Sequence, residues 1–578
     1  MKRILPFLKP YQRQLALIIL IVFADVGGSL LVPTITADMI NLAVGGGSAR
    51  KIILSGAIML CIALCSGGLT LLGSWLCARM SADIGRDLRS ALYDRSQEFS
   101  ASDFEVFGTA SMITRTMNDV SVIQQSLINF LQMVLPVPVM CVMGIIFSFR
   151  IDRDMGVLIF SVTVFVLTAA LLIMRKAAPV FERLQGFLDR MNVVLRENLT
   201  GVRVIRAFNK ESHETERMKK TFEEYAESSI QANRLFAGLD CLATVTINFC
   251  IVAVLYFGGN RVGAGEMNIG DITAITEYAV WILFYVMMAQ MVILLIPRAV
   301  TCLRRVCAVL ELEPSIADRE LLQEKETGEN SDEVINFDHV SFGFADTDVN
   351  TLSDLSFCCR RGETTAVIGG TGSGKSTIAK LIMRFHDVTS GKILMMGQDI
   401  RSISQHRLRG HISYVPQRAW LFSGTIAENL RYGNENATEE ELKHALGVSQ
   451  ADFVQDLPDG TNAYVAQGGR NFSGGQRQRL SIARALVRKA DLYIFDDSFS
   501  ALDFKTDASL RRALKKETRE AAVLIIAQRV STILHADQIL VVDDGKIVGL
   551  GRHEELLKTC PVYRDIVDSQ MKGGDGDV

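Results

Sequence analysis

The sequence predicts a multidomain membrane protein: an all-α region of six membrane-crossing helices, then a separate α/β domain. Three observations predict it. Hydrophobic residues make up 49% of the 578 residues against 22% charged, and that excess is concentrated before residue 300. After Val334 short apolar runs alternate with helical stretches, the pattern of an α/β domain. A glycine-rich segment, Gly369–Ser376, falls between a predicted strand and a predicted helix.

The membrane spans come first. A helix needs about 20 apolar residues to cross a bilayer. Six stretches are long enough: Leu15–Ile40, Ile52–Cys77, Phe130–Phe149, Met155–Met174, Leu239–Gly259 and Ile272–Pro297. The start, Met1-Lys2-Arg3, resembles a signal peptide, but the apolar run continues past Pro33 without a small-residue cleavage site and reads as a first span. Short links follow the first, third and fifth spans, and long polar links, Ala78–Asn129 and Arg175–Gly238, follow the second and fourth. Lys2, Arg3, Lys9, Arg13, Arg79, Arg86, Arg89, Arg175 and Lys176 lie near the membrane in the N-terminus and long links, which places these segments and both termini in the cytoplasm of a cell-membrane protein.

The second long link carries Leu184, Phe187, Leu188, Met191 and Leu195 at helical spacing and is nearly free of Gly and Pro. Two helices of about 30 residues would each project about 45 Å, so the spans are expected to continue as cytoplasmic extensions. Gly201–Lys210 and Ser100–Ala110 would be their tips. The boundaries are therefore 1–310 for the transmembrane domain, an acidic linker at 311–332, and 333–578 for the α/β domain. A net charge of −3 gives no reason to expect a nucleic-acid partner. None of the 11 cysteines has metal-ligand spacing, so they read as small buried hydrophobes.

Gly369-Gly370-Thr371-Gly372-Ser373-Gly374-Lys375-Ser376, with Thr377 next, fits GxxxxGK[ST]. It follows the strand Thr364–Ile368 and opens the helix Lys375–Phe385. Its N–H groups and the helix's positive end would cradle phosphate. Lys375 would neutralise the β- and γ-phosphates of ATP, and Ser376 would bind Mg²⁺. The strand Leu492–Phe495 ends in Asp496 and Asp497. Asp496 suits the Mg²⁺-holding carboxylate, and Asp497 stands where a general base or water-orienting group would.

With these motifs, the whole length resembles an ABC exporter half-transporter, six membrane helices followed by one ABC ATPase domain. Gln417 in Tyr414-Val415-Pro416-Gln417 matches the Q-loop and joins Ser376 and Asp496 in the implied metal set. Phe472-Ser473-Gly474-Gly475-Gln476 matches the signature, with Phe for the usual Leu. Ser500-Ala501-Leu502-Asp503 matches the D-loop, and Phe344 matches the aromatic that stacks on adenine. The resemblance implies head-to-tail pairing of two ATPase domains, each ATP lying between one domain's phosphate loop and the other's signature.

The departures carry the sharper expectation. Where hydrolytic members of the family carry Glu and His, this chain has Asp497 and Gln528. Asp is one methylene shorter, and a misplacement of about 1 Å can cost on the order of a hundredfold in rate. An amide cannot carry charge or exchange a proton. Ala466-Gln467 also replaces the usual Gly-Glu before the signature. The resemblance therefore points to the degenerate subunit of a bacterial heterodimeric multidrug exporter. Its own site would bind ATP and hydrolyse it slowly, and its signature would complete the site of a second, competent half-transporter. The expected cargo is hydrophobic or amphipathic. Asp25, costly within a span, is expected to face the cavity or a paired group and to favour cations. Met287 and Met291, near Phe284 and Tyr285, suit a permissive cavity lining. A lipid or peptide exporter and an ATP-gated regulatory subunit are the alternatives. The spans exclude a soluble ATPase of DNA repair or translation.

Overall fold

The computed structural model describes residues 5–293, 295–318, 332–344, 347 and 349–571. It divides into two compact units, Met1–Gln97 with Phe107–Glu313, and Glu98–Val106 with Pro314–Val578. The linker predicted at 311–332 is described only at its ends, and 319–331 lie outside the described residues.

The first unit is helical. Its long elements are α1 (Gln12–Val44), α2 (Ala49–Glu98), α3 (Thr109–Ile151), α4 (Arg153–Ala207), α5 (Glu211–Gly263), α6 (Ile269–Ile293) and α7 (Ile296–Glu311). Helices α1 to α6 each contain a stretch long and apolar enough to cross a membrane. In hydrocarbon no water satisfies the backbone, so an apolar run closes its own N–H···O=C ladder as helix. The apolar part of α4, Arg153–Lys176, takes less than half of its 55 residues. The remainder runs on as helix for about 45 Å.

The bundle core includes Val26, Leu30, Met140, Ile159, Ile275 and Tyr278. Tyr278 is fully buried, and its hydroxyl is satisfied by Thr34 at 2.6 Å. Glycines set the close approaches: a Cβ on Gly28 would stand 3.3 Å from Ser66, and one on Gly270 would stand 2.2 Å from the Ala37 carbonyl. The sixth span ends earlier than the expected Pro297. Helix α6 stops at Ile293, and Pro297 sits in the first turn of α7, where its missing N–H costs nothing. Beyond the apolar part of the bundle, α3 contains a π turn, Arg115–Asp119. Asp119 is fully buried there and is gripped by the Arg305 guanidinium of α7.

The second unit is α/β. Its central sheet uses β1 (Thr364–Gly369), β2 (Ile412–Val415), β3 (Leu492–Asp496), β4 (Ala522–Ile526), β5 (Gln538–Asp543) and β6 (Lys546–Gly551). The spatial order is β6-β5-β1-β4-β3-β2, parallel except for β6. Both faces are buried, as parallel sheets require. Ala366, Ile368, Phe495, Ile525 and Val541 face one core with helix residues Leu480 and Leu510. The alternate residues Val367, Ile494, Leu524 and Leu540 face a second core with Phe337 and Leu355 of an antiparallel sheet. This alternation fixes the register and leaves β1 to β4 ending side by side.

Glu98–Val106 joins this second unit although it interrupts the membrane region in sequence. The buried Asp103 explains why. Its carboxylate accepts from the N–H groups of Ser100 at 2.9 Å and Ser315 at 3.1 Å, while the Ser100 and Ser315 hydroxyls meet at 2.7 Å. Burial alone would raise this carboxyl, but the two N–H donors hold it below the usual aspartate value.

Candidate functional site

Open α/β sheets bind ligands outside the carboxyl ends of their parallel strands. Four segments converge there: the loop after β1, Gln417 after β2, Asp496 and Asp497 at the end of β3, and Gln528 after β4. In the glycine loop Gly374 has φ 91°, and a Cβ on it would meet Leu352 at 2.6 Å. Gly369 is equally obligatory, since its Cβ would fall 2.0 Å from the Val542 carbonyl. Thr371 and Gly372 are exposed at the crest, and Lys375 and Thr377 are buried beneath it. The Lys375 ammonium donates to the carbonyls of Gly369 and Gly370. Burial draws it below the ordinary lysine value, against the opposing charges of Asp497 and Asp496.

Ser376 donates to Asp496 Oδ1 at 2.9 Å, and the Tyr414 hydroxyl to Oδ2 at 3.4 Å. Burial raises the Asp496 carboxyl despite these donors, and the neighbouring charge of Asp497 pushes the same way while Lys380 opposes it. A hydroxyl beside a buried carboxylate is an oxygen set suited to Mg²⁺, so these residues fit the expected metal. Gln417 takes a different partner in this structure. Its amide donates to Asp497 Oδ2 at 3.3 Å, and the Gln528 amide donates to the same oxygen at 3.0 Å. Asp497 has φ 47°, a left-handed conformation that Asp adopts more readily than most residues. Its N–H is tied to the Ile526 carbonyl at 2.8 Å, and its carbonyl accepts from Ser500 at 2.9 Å. Burial raises the Asp497 carboxyl, with Gln417, Ser500, Lys375 and Arg529 pulling the other way.

The signature residues open a helix of their own. Ser473 caps the helix Gly474–Val487 in a reciprocal box with Gln476, so the Gln476 side chain is engaged with its own helix. A Cβ on Gly475 would approach the Ala501 carbonyl at 3.2 Å, which brings signature and D-loop together. Asp503 caps the helix Phe504–Glu517 through Thr506 N–H at 2.9 Å. Phe344 packs on Phe342 and His386, with ring centroids at 4.9 Å and 5.4 Å.

Two contributors were not foreseen. Tyr414 lies in the quoted Q-loop segment, but only the fold shows its hydroxyl on Asp496. Gln570, in the helix Pro561–Met571, donates to the Gln528 carbonyl at 2.7 Å and accepts from Val530 N–H at 2.8 Å. It holds the backbone that presents Gln528, and no local motif marks it.

Residues 15–287 match the ABC transporter transmembrane region family, and residues 352–500 match the ABC transporter family. An uncharacterized ABC transporter ATP-binding protein of Mycobacterium tuberculosis is 38% identical over 97% of each chain. The chain belongs to the ABC transporter family. An ATP-dependent lipid A-core flippase of Syntrophus aciditrophicus is 31% identical, over 88% of this chain and 84% of the flippase. The fold is shared with a bacterial Atm1-family ABC exporter solved with ATP bound, at TM-score 0.81 and 24% identity over 97% of this chain and 98% of that one. The protein is thus a multi-pass ABC exporter half-transporter whose ATPase domain couples ATP hydrolysis to transport.

In the membrane unit the Asp25 carboxylate accepts at Oδ1 from Ser66 at 2.6 Å and Thr70 at 2.9 Å, so the expected pairing is with hydroxyls of α2. Met287 is half-buried against the bundle core. The side chain of Met291 lies outside the described residues.

Proposed function

We propose that this transporter works as the slow-site member of a heterodimeric exporter in the cell membrane, with both termini and the ATPase domain in the cytoplasm. Its phosphate loop, Asp496 and Ser376 hold Mg²⁺–ATP. Its signature completes the site of a partner that supplies Glu and His. Alternating access follows: ATP closes the paired ATPase domains and opens the membrane helices outward, and hydrolysis in the partner's site resets them.

One observation carries this reading. The carboxylate that follows the Mg²⁺-holding Asp496, Asp497, receives two neutral amides on one oxygen, from Gln417 and Gln528. Neither amide can take a proton from water or answer γ-phosphate with positive charge. A partner is also favoured by the far tip of the α4–α5 pair. There Leu199, Val204 and Phe208 are 76%, 61% and 71% exposed, an apolar knob that suits another chain's surface.

The proposed cargo is a hydrophobic or amphipathic compound leaving the cytoplasm. A lipid is the second reading, because relatives named as lipid A-core flippases span most of this chain. The test of the slow site is a gain of function. In a complex whose partner site is silenced, Asp497→Glu with Gln528→His should raise ATP turnover about tenfold or more. Unchanged turnover with intact ATP binding would contradict the assignment.

A further inference from the structure

Asp25 lies ten residues into the apolar run that begins at Leu15, about 15 Å along the helix and near mid-membrane. A carboxylate there is retained only with a reason. Both hydroxyl donors, Ser66 and Thr70, fall on Oδ1. Among the described residues Oδ2 has no hydrogen-bond partner. A carboxylate offers about four acceptor positions, so half of this one is free for a ligand. Asp25 is half-exposed, so the free oxygen is not sealed in the bundle.

The neighbouring chemistry points the same way. Helices α1 and α6 pack side by side and antiparallel, with Asn41 Oδ1 accepting from the Gly270 N–H at 2.7 Å and Thr34 meeting Tyr278 at 2.6 Å, and the same register sets Tyr285 opposite the turn of α1 that carries Asp25. Tyr285 belongs to a ring cluster at helical spacing: Trp281 and Tyr285 centroids lie 6.2 Å apart, Phe284 and Tyr285 6.0 Å, and Trp281 and Phe284 5.9 Å. Aromatic faces attract cations, most strongly where water is scarce. A carboxylate alone suits any cation or a proton. Rings alone suit any apolar cargo. Together, with hydroxyls that orient the carboxylate, they suit a bulky organic cation.

We infer that Asp25, oriented by Ser66 and Thr70 and flanked by Trp281, Phe284 and Tyr285, forms a recognition site for lipophilic monocations. The inference rests on the proposal that the protein exports amphipathic compounds. Cargo charge meets Asp25 Oδ2 and cargo apolar surface meets the rings. Asparagine at 25 keeps the size and an oxygen for the two hydroxyls but removes the charge.

The test uses the transporter assembled with its partner in lipid nanodiscs. ATPase stimulation is titrated with tetraphenylphosphonium and with the uncharged dye Nile red, and inside-out vesicles report ATP-dependent uptake of each. For Asp25→Asn the half-maximal tetraphenylphosphonium concentration should rise about tenfold or more, while that for Nile red shifts less than about twofold. Tyr285→Leu should weaken the cation response again, and Tyr285→Phe, which keeps the ring, should largely preserve it. Equal loss for both probes would make Asp25 a packing residue, and no loss for either would make it a spectator. Both outcomes overturn the site. If neither probe is transported or stimulates ATPase in the wild type, the cargo proposal itself fails, which is distinct from failure of the Asp25 variants.

Discussion

Asp496 and Asp497 are adjacent in sequence, and they answer to different constraints. Asp496 is buried and raised, with Ser376 and Tyr414 donating to it. A carboxyl whose folded value is raised costs stability at neutral pH, and that cost disappears as pH falls through the folded value. Asp496→Asn should therefore raise the melting temperature of the nucleotide-free protein at pH 7, by about 2 °C or more, with the gain shrinking toward pH 4. The same variant should lose Mg²⁺-dependent ATP binding by about tenfold or more. Thermal scans with and without Mg²⁺–ATP check both halves. Asp103 has the opposite sign. Its lowered carboxyl contributes stability that is present above the unfolded value and lost as pH falls through the folded one. At this scale the sequence disclosed residue identity but not hydrogen-bond partners. That Gln417 and Gln528 share one oxygen of Asp497 depends on three strand ends meeting, which no local spacing encodes.

Elements decide whether those residues are held or free to move. The helix Pro561–Met571 buries Tyr563 and Val567 against the ATPase core, and from that footing Gln570 bridges the backbone on both sides of Arg529. Gln570→Ala leaves the Val530 N–H without its acceptor. Hydrogen exchange at that amide should quicken about tenfold, while amides of β3 and β4 keep their protection. A uniform increase across the sheet would show loss of fold rather than loss of a clamp. The short helix Ala101–Phe107 is secured in the same manner. Asp103→Ala orphans two N–H donors, at about 1–3 kcal/mol for each. If this segment transmits motion as a rigid piece, transport should fall at least about fivefold more than ATP hydrolysis, measured in the same vesicles. The spans, the stalk-like extensions and the phosphate loop were legible because each is written in a local period: apolar runs, 3–4 spacing, and glycines between strand and helix. The end of α6 was not, because Ile293 and Pro297 lie in one apolar stretch and only the break in the helix separates them. The clamp by Gln570 joins residues about 40 positions apart in sequence, a distance that only tertiary packing closes.

At the scale of the whole molecule, the family assignment and the two-part build follow from sequence. The reading of unequal sites follows from Asp497 and Gln528 set against an intact signature. Under the proposal of a nucleotide site built across two chains that inequality is consequential, since what this chain lacks a second would have to provide. The most direct measurement is steady-state ATP turnover of this chain purified alone, against the same chain co-purified with the half-transporter it assembles with. The account predicts turnover at least about a hundredfold lower for the isolated chain. In the pair it predicts that Asp497→Asn leaves most activity in place, whereas replacing the partner's Glu abolishes it. Brisk hydrolysis by the isolated chain, lost on Asp497→Asn, would contradict it.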